Sequence, residues 1–138
     1  MQSAIDSSDA QVEPHPLWEY PTRALSPAVQ LMMLDLTTLS GKTQEILQVE
    51  GKVNLPVAGT LNGVALWIDW QLDENTTISG GPTAPVTLSQ NVQWDVHSKQ
   101  AVYFTKDPVS ISEKDGKVLN YQISLDPETY ELKFKFSV

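Results

Sequence analysis

The sequence contains no cysteine. That excludes a disulfide framework and a thiol nucleophile, and it removes the usual ligand of structural zinc sites. Histidine is scarce too, with only His15 and His97, so no metal is expected. Arginine occurs once, as Arg23, which rules out a clamp of several guanidinium groups on phosphate or carboxylate. Cations are few overall: 9 Lys and Arg stand against 17 Asp and Glu, a formal net charge of −8. Such a surface repels a phosphate backbone, so no nucleic-acid partner is expected. It favours solubility, and the same field would attract a basic peptide. No apolar run reaches the length of a membrane span, so no membrane partner is expected. Met1 to Glu13 is rich in Ser, Asp and Gln and lacks the cationic start and apolar stretch of a secretory signal. The expected localisation is cytoplasmic and/or nuclear. Asn75-Thr76-Thr77 fits the glycosylation acceptor pattern and is read as a loop sequence that matches by accident.

What is present is a chain of 138 residues, 41% hydrophobic and 19% charged, which suits one domain with a real core. The spacing predicts a mainly β fold, an antiparallel β-barrel or sandwich with at most one or two short helical segments. Residues 1–13 read as a disordered lead-in and residues 14–138 as the domain. Pro14 to Pro21 holds three prolines among Leu17, Trp18 and Tyr20, and reads as an extended, sticky strap. Ser26-Pro27 has the chemistry of a helix start, with helix expected mainly over Pro27–Met33. Leu31 to Leu36 is too short for periodicity to separate helix from strand.

From about Glu45 the period is two. Over Gly63–Leu72, Val64, Leu66, Ile68, Trp70 and Leu72 share one face, read as the core face. Ala65, Trp67, Asp69 and Gln71 share the other, where Trp67 is either covered by the strap or marks a docking surface. Tyr121, Ile123 and Leu125 alternate in the same way, as do Leu132, Phe134 and Phe136. Asp126-Pro127-Glu128-Thr129 between them suits a type I turn and predicts a hairpin. Lys99–Thr105 and Val109–Glu113 are further strands, and Asp115-Gly116 predicts a second hairpin turn. Residues 73–95 read mainly as loop with short strand pieces.

Little chemistry is available. There is no Gly-x-Ser-x-Gly elbow, no phosphate-binding Gly-x-x-x-x-Gly-Lys loop and no Gly-x-Gly-x-x-Gly. Gly80-Gly81 runs into Pro82 and reads as a turn. Asp95 and His97 are the nearest approach to a base and its partner, but no hydroxyl near them stands in a recognisable triad. Asp73-Glu74 reads as a solvated loop tip. From the residues alone the chain is an acidic β domain with no visible active site. A free-standing β-sandwich module that binds a basic peptide or a protein partner is one reading of such a domain. A small hydrolase using His97 has only that one histidine in its favour.

The run Trp94-Asp95-Val96-His97-Ser98-Lys99-Gln100-Ala101-Val102-Tyr103-Phe104 resembles a stretch of the protein arginine methyltransferases. In that family a Thr-His-Trp loop leads into Lys-Gln and an apolar strand. Gly63 to Trp70 is similar to the family's preceding strand. Leu17-Trp18-Glu19-Tyr20-Pro21, with Arg23 and Leu25-Ser26 after it, narrows the resemblance to the second module of the two-module, monomethylating type III branch. The resemblance implies that the chain is the C-terminal barrel of such an enzyme, parted from the domain that binds S-adenosyl-L-methionine (AdoMet). It implies no catalytic and no cofactor-binding residue here, AdoMet being the cofactor of the parent. The implied partners are that missing AdoMet-binding domain and, through the parent, Arg-rich protein substrates. The family loop falls on Val96, His97 and Ser98. Its histidine is kept, but Val cannot make the hydrogen bond of Thr, and Ser lacks the flat wall of Trp. The resemblance therefore implies a degenerate loop that supports the fold while another module does the chemistry.

Overall fold

The computed structural model describes residues 12–34, 47–126, 128–129 and 131–138. The predicted lead-in lies outside them, except that Val12 and Glu13 belong to the first strand. Among the described residues eight strands follow in chain order: β1 (Val12–His15), β2 (Leu47–Asn54), β3 (Gly59–Leu66), β4 (Asp69–Gln71), β5 (Thr77–Ser79), β6 (Gln100–Ile111), β7 (Val118–Leu125) and β8 (Leu132–Ser137). All their pairings are antiparallel. The expected mainly β fold is therefore what forms. Among the described residues the helical structure is one short 3-10 turn, Leu17–Glu19.

The described residues within 28–54 and 117–138 fall in one compact unit, which holds the sheet β2-β7-β8. Alternation builds it: Leu47, Val49, Gly51 and Val53 point inward on β2 while Gln48, Glu50, Lys52 and Asn54 point out. Val49 faces Ile123, which in turn faces Phe134, so one apolar row crosses all three strands. In the next row Gly51 faces Tyr121, and Tyr121 faces Phe136. A Cβ on Gly51 would lie 2.5 Å from the Tyr121 hydroxyl oxygen, so the phenol ring lies over the glycine and would have to shift for any side chain there. The β7–β8 hairpin closes where the sequence predicts, with the Asp126 carboxylate accepting from the Glu128 amide at 2.8 Å.

The other unit, residues 11–27 and 55–116, holds the sheet β1-β6-β3 and the separate hairpin β4-β5. The two strands predicted over 99–113 are one, β6. Among the described residues its middle, Thr105–Pro108, has no partner in β3, whose register shifts between Leu61 and Gly63. Pro108, which has no N–H to donate, is tolerated in such a gap. The core cluster here is Leu17, Trp94 and Val102, with Trp18, Ala65, Trp67 and Val92 packed against it.

Three expectations are corrected. No helix forms over the described residues after Ser26, whose hydroxyl donates to the Pro27 carbonyl at 2.9 Å and caps no amide. Asp35 and Leu36 lie outside the described residues. Asp115-Gly116 does make a turn, with Gly116 at φ 60, but not a hairpin. It joins β6 of one sheet to β7 of another. Finally, the strand expected over 63–72 breaks at Trp67-Ile68: β3 pairs with β6, whereas β4 turns away to pair with β5. The expected core face of its second half is exposed, and Trp67 from the opposite face packs into the cluster with the strap residues Leu17 and Trp18.

Candidate functional site

The turn before β6 carries the only family-like motif with polar chemistry. The Ser98 amide and hydroxyl both donate to the Asp95 carbonyl, at 3.3 and 2.7 Å. That closure places His97 in the left-handed region, φ 70, which costs a non-glycine residue roughly 1–2 kcal/mol. The imidazole stands edge-on to Trp18, ring centroids 5.1 Å apart at 72°. Ser98 is committed to the backbone and to Gln100, and among the described residues no hydrogen bond or ion pair joins His97 to the Asp95 carboxylate. The sequence motif thus brings Val96, His97 and Ser98 into one turn without assembling a base and its orienting acid. Val96 is exposed beside it.

Gln100, which the motif reading passed over, is the buried polar residue of this region, 2% exposed. Its Nε2 donates to the Gly80 carbonyl at 3.0 Å and to the Ser98 hydroxyl at 2.9 Å. The Gly80 amide in turn donates to the Ile68 carbonyl at 3.1 Å, where the β4–β5 hairpin begins and ends. No local signal reveals these partners, which lie up to 20 residues away.

The second feature is that hairpin. Trp70 pairs with Ile78, which sets both side chains on one face with Ile68 and Leu72. These four are 47%, 55%, 53% and 62% exposed respectively. The opposite face is polar: the Ser79 hydroxyl donates to the Asp69 carboxylate, and Gln71 pairs with Thr77. At the tip, the Asp73 carboxylate accepts from the Asn75 amide at 2.8 Å and the Thr76 hydroxyl at 3.3 Å. Those bonds hold its pKa below the ordinary carboxylate value, the Asn75 amide contributing most. Asp73-Glu74 is thus a solvated tip, and Asp73 serves as its cap. A two-stranded ribbon is marginal alone, and this one turns its apolar side outward. Trp67, read from the pattern as either covered by the strap or part of a docking surface, lies half-buried against Trp94, ring centroids 5.7 Å apart.

AdoMet would need a glycine-rich strand-to-helix turn with room for the ligand. The one glycine pair among the described residues does not fit it. Gly80-Gly81 ends a hairpin, no helix follows, and a Cβ on Gly81 would already collide with the Trp67 indole. No group of three or more His, Asp or Glu among the described residues could hold a metal. No helix among them is long and apolar enough to cross a membrane.

Comparison with known proteins gives a consistent result. The family model described as the arginine methyltransferase oligomerization subdomain matches residues 1–137. Protein arginine N-methyltransferase 7 of Drosophila mojavensis is 35% identical over 142 residues, covering 100% of this chain and 19% of the relative. The protein of the same name from Danio rerio is 32% identical over 139 residues, covering 100% and 20%. The chain spans about a fifth of the length of these relatives.

Proposed function

The chain belongs to the protein arginine methyltransferase family, by way of its oligomerization subdomain, and on that premise we propose that it is the C-terminal barrel module of a longer methyltransferase and acts by docking. In this reading the parent transfers methyl groups from AdoMet to arginine in protein substrates, and this chain neither binds AdoMet nor performs chemistry. Its assignment to the second module of a type III enzyme rests on the resemblance of Leu17 to Ser26 to that module. The partner is the AdoMet-binding domain of the same protein.

One observation carries the proposal: the outward apolar face Ile68, Trp70, Leu72 and Ile78 on the β4–β5 hairpin. Four large apolar side chains on one small ribbon stay about half exposed. A hydrophobic partner that covered Trp70 alone would remove enough area to contribute roughly 1.5–3 kcal/mol. The acidic surface suits the Arg-rich substrates proposed for the parent, which it would draw by the long-range field and not by a pocket. The His97 turn is a support for the fold in this reading. It keeps the family's histidine but neither the Thr hydroxyl nor the Trp wall.

The test is a calorimetric titration of the separately produced AdoMet-binding domain into this chain, alongside a titration with AdoMet alone. The expected result is saturable binding of the domain, weakened about tenfold or more by Trp70→Ser, which equals a loss of roughly 1.4 kcal/mol. AdoMet alone should give no heat of binding. Saturable AdoMet binding in the micromolar range, or domain binding indifferent to Trp70→Ser, would overturn the proposal.

A further inference from the structure

We propose that Gln100 is a positioning residue, one that locks His97 in its left-handed turn against Trp18 and ties that turn to the foot of the β4–β5 hairpin. The inference goes beyond the docking reading and does not depend on it.

The argument starts from conformation. His97 is neither glycine nor asparagine, yet it holds φ 70 on an exposed turn. A residue stays in that region only when its surroundings over-determine it. The bonds local to the turn come from Ser98 to the Asp95 carbonyl. They close the turn but do not fix it to anything else. Gln100 does. Its carboxamide reaches back to the Ser98 hydroxyl and sideways to the Gly80 carbonyl, so both hydrogens of its NH2 group are used. Ser98 is therefore held from two sides, donating to Asp95 and accepting from Gln100. His97 lies between those two anchors in sequence, and its ring is delivered to the edge of Trp18.

Gln100 Oε1 is buried without a hydrogen-bond partner, a penalty that an apolar side chain of the same shape would avoid only by leaving the Gly80 carbonyl without this donor. What an apolar side chain could not do is join two separate backbones. The carboxamide gives the His97 turn a fixed position relative to the end of β5, so a displacement of the hairpin foot is passed to His97.

The experiment is heteronuclear NMR on the intact chain, following the His97 ring protons. In the wild type, the neighbouring indole is expected to displace these resonances from their random-coil positions by its ring current. Gln100→Met keeps the shape and removes both donated bonds. The expected result is that the displacement falls by more than half while the backbone amides of Val102 and Tyr103 in β6 stay where they are. Ser98→Ala, which removes the accepting hydroxyl, should have the same effect, and Ser98→Thr, which retains it, should restore the wild-type displacement. A merely structural role would move β6 along with His97, or would move neither. If Gln100→Met fails to fold, the wild-type Gln100 carboxamide protons decide: protection of both from solvent exchange supports the lock, and rapid exchange of both overturns it. An undiminished His97 displacement in folded Gln100→Met, or in folded Ser98→Ala, would overturn the proposal.

Discussion

Replacing Gly81 with alanine adds one methyl group and strikes a rigid target. The new Cβ would lie 2.5 Å from Cε2 of Trp67 and 2.7 Å from its Cδ1. These atoms sit in the body of the indole, so the collision cannot be relieved by swinging a flexible end. Trp67 is backed by Trp94, and Trp94 is itself pinned by a 2.9 Å hydrogen bond from its Nε1 to the Thr22 hydroxyl. Overpacking of this kind costs about 1–3 kcal/mol. For a chain of this size each kcal/mol lowers Tm by roughly 4 °C, so a fall of about 4–12 °C is expected. The Trp67–Trp94 pair is expected to give a coupled aromatic circular dichroism signal, which should weaken as the rings part. Gly116→Ala is the control. Its Cβ would meet nothing within 4 Å, but its φ of 60 disfavours a side chain, so only a modest loss with an unchanged aromatic signal is expected. A Gly81→Ala variant as stable as the parent, with the tryptophan coupling intact, would refute the packing described around Trp67.

Two further outcomes are expected. Phe136, 2% exposed and stacked on Phe134 with ring centroids 6.1 Å apart, should cost about 3–5 kcal/mol when cut to alanine, measured by urea unfolding. An effect below about 1 kcal/mol would mean that the β8 side chain does not anchor its sheet. Burial raises the Tyr103 pKa above its ordinary 10.0. The unfolded chain therefore ionises first, so this contribution is whole below pH 10.0 and is lost as pH rises through the folded value. Tyr103→Phe should show a shallower alkaline decline in urea midpoint than the wild type, and an identical slope would refute the assignment.

The parts of the fold that were legible in the sequence are those set by neighbours in the chain. The β7–β8 hairpin follows from two alternating runs and an Asp that caps its own turn through the Glu128 amide. The inward and outward residues of β2 follow from the pleat. Pairing across the chain was less legible. Asp115-Gly116 makes a turn as its chemistry demands, yet local chemistry does not say which strand pairs with the next one. Ser26-Pro27 has a helix-start composition, but so short a helix depends on an apolar face being packed. Alternation over 63–72 correctly grouped Ile68, Trp70 and Leu72 on one face; it could not tell whether this chain or a partner covers them. At the His97 turn the motif gave the residues. The lock that holds them needed Gly80, twenty positions away from Gln100, and no periodicity links such a pair.

The Tyr121 ring lying over Gly51 bears on how sequences of this domain can diverge. Any side chain at 51 meets the phenol, and a smaller residue at 121 leaves glycine's backbone bare. A substitution at either position is therefore penalised until the other changes, and the two sites should drift as a pair. Among homologues, the combination of small at one and large at the other should be exchanged as a unit, making this cross-strand couple a marker of strand register that survives even where overall identity is low.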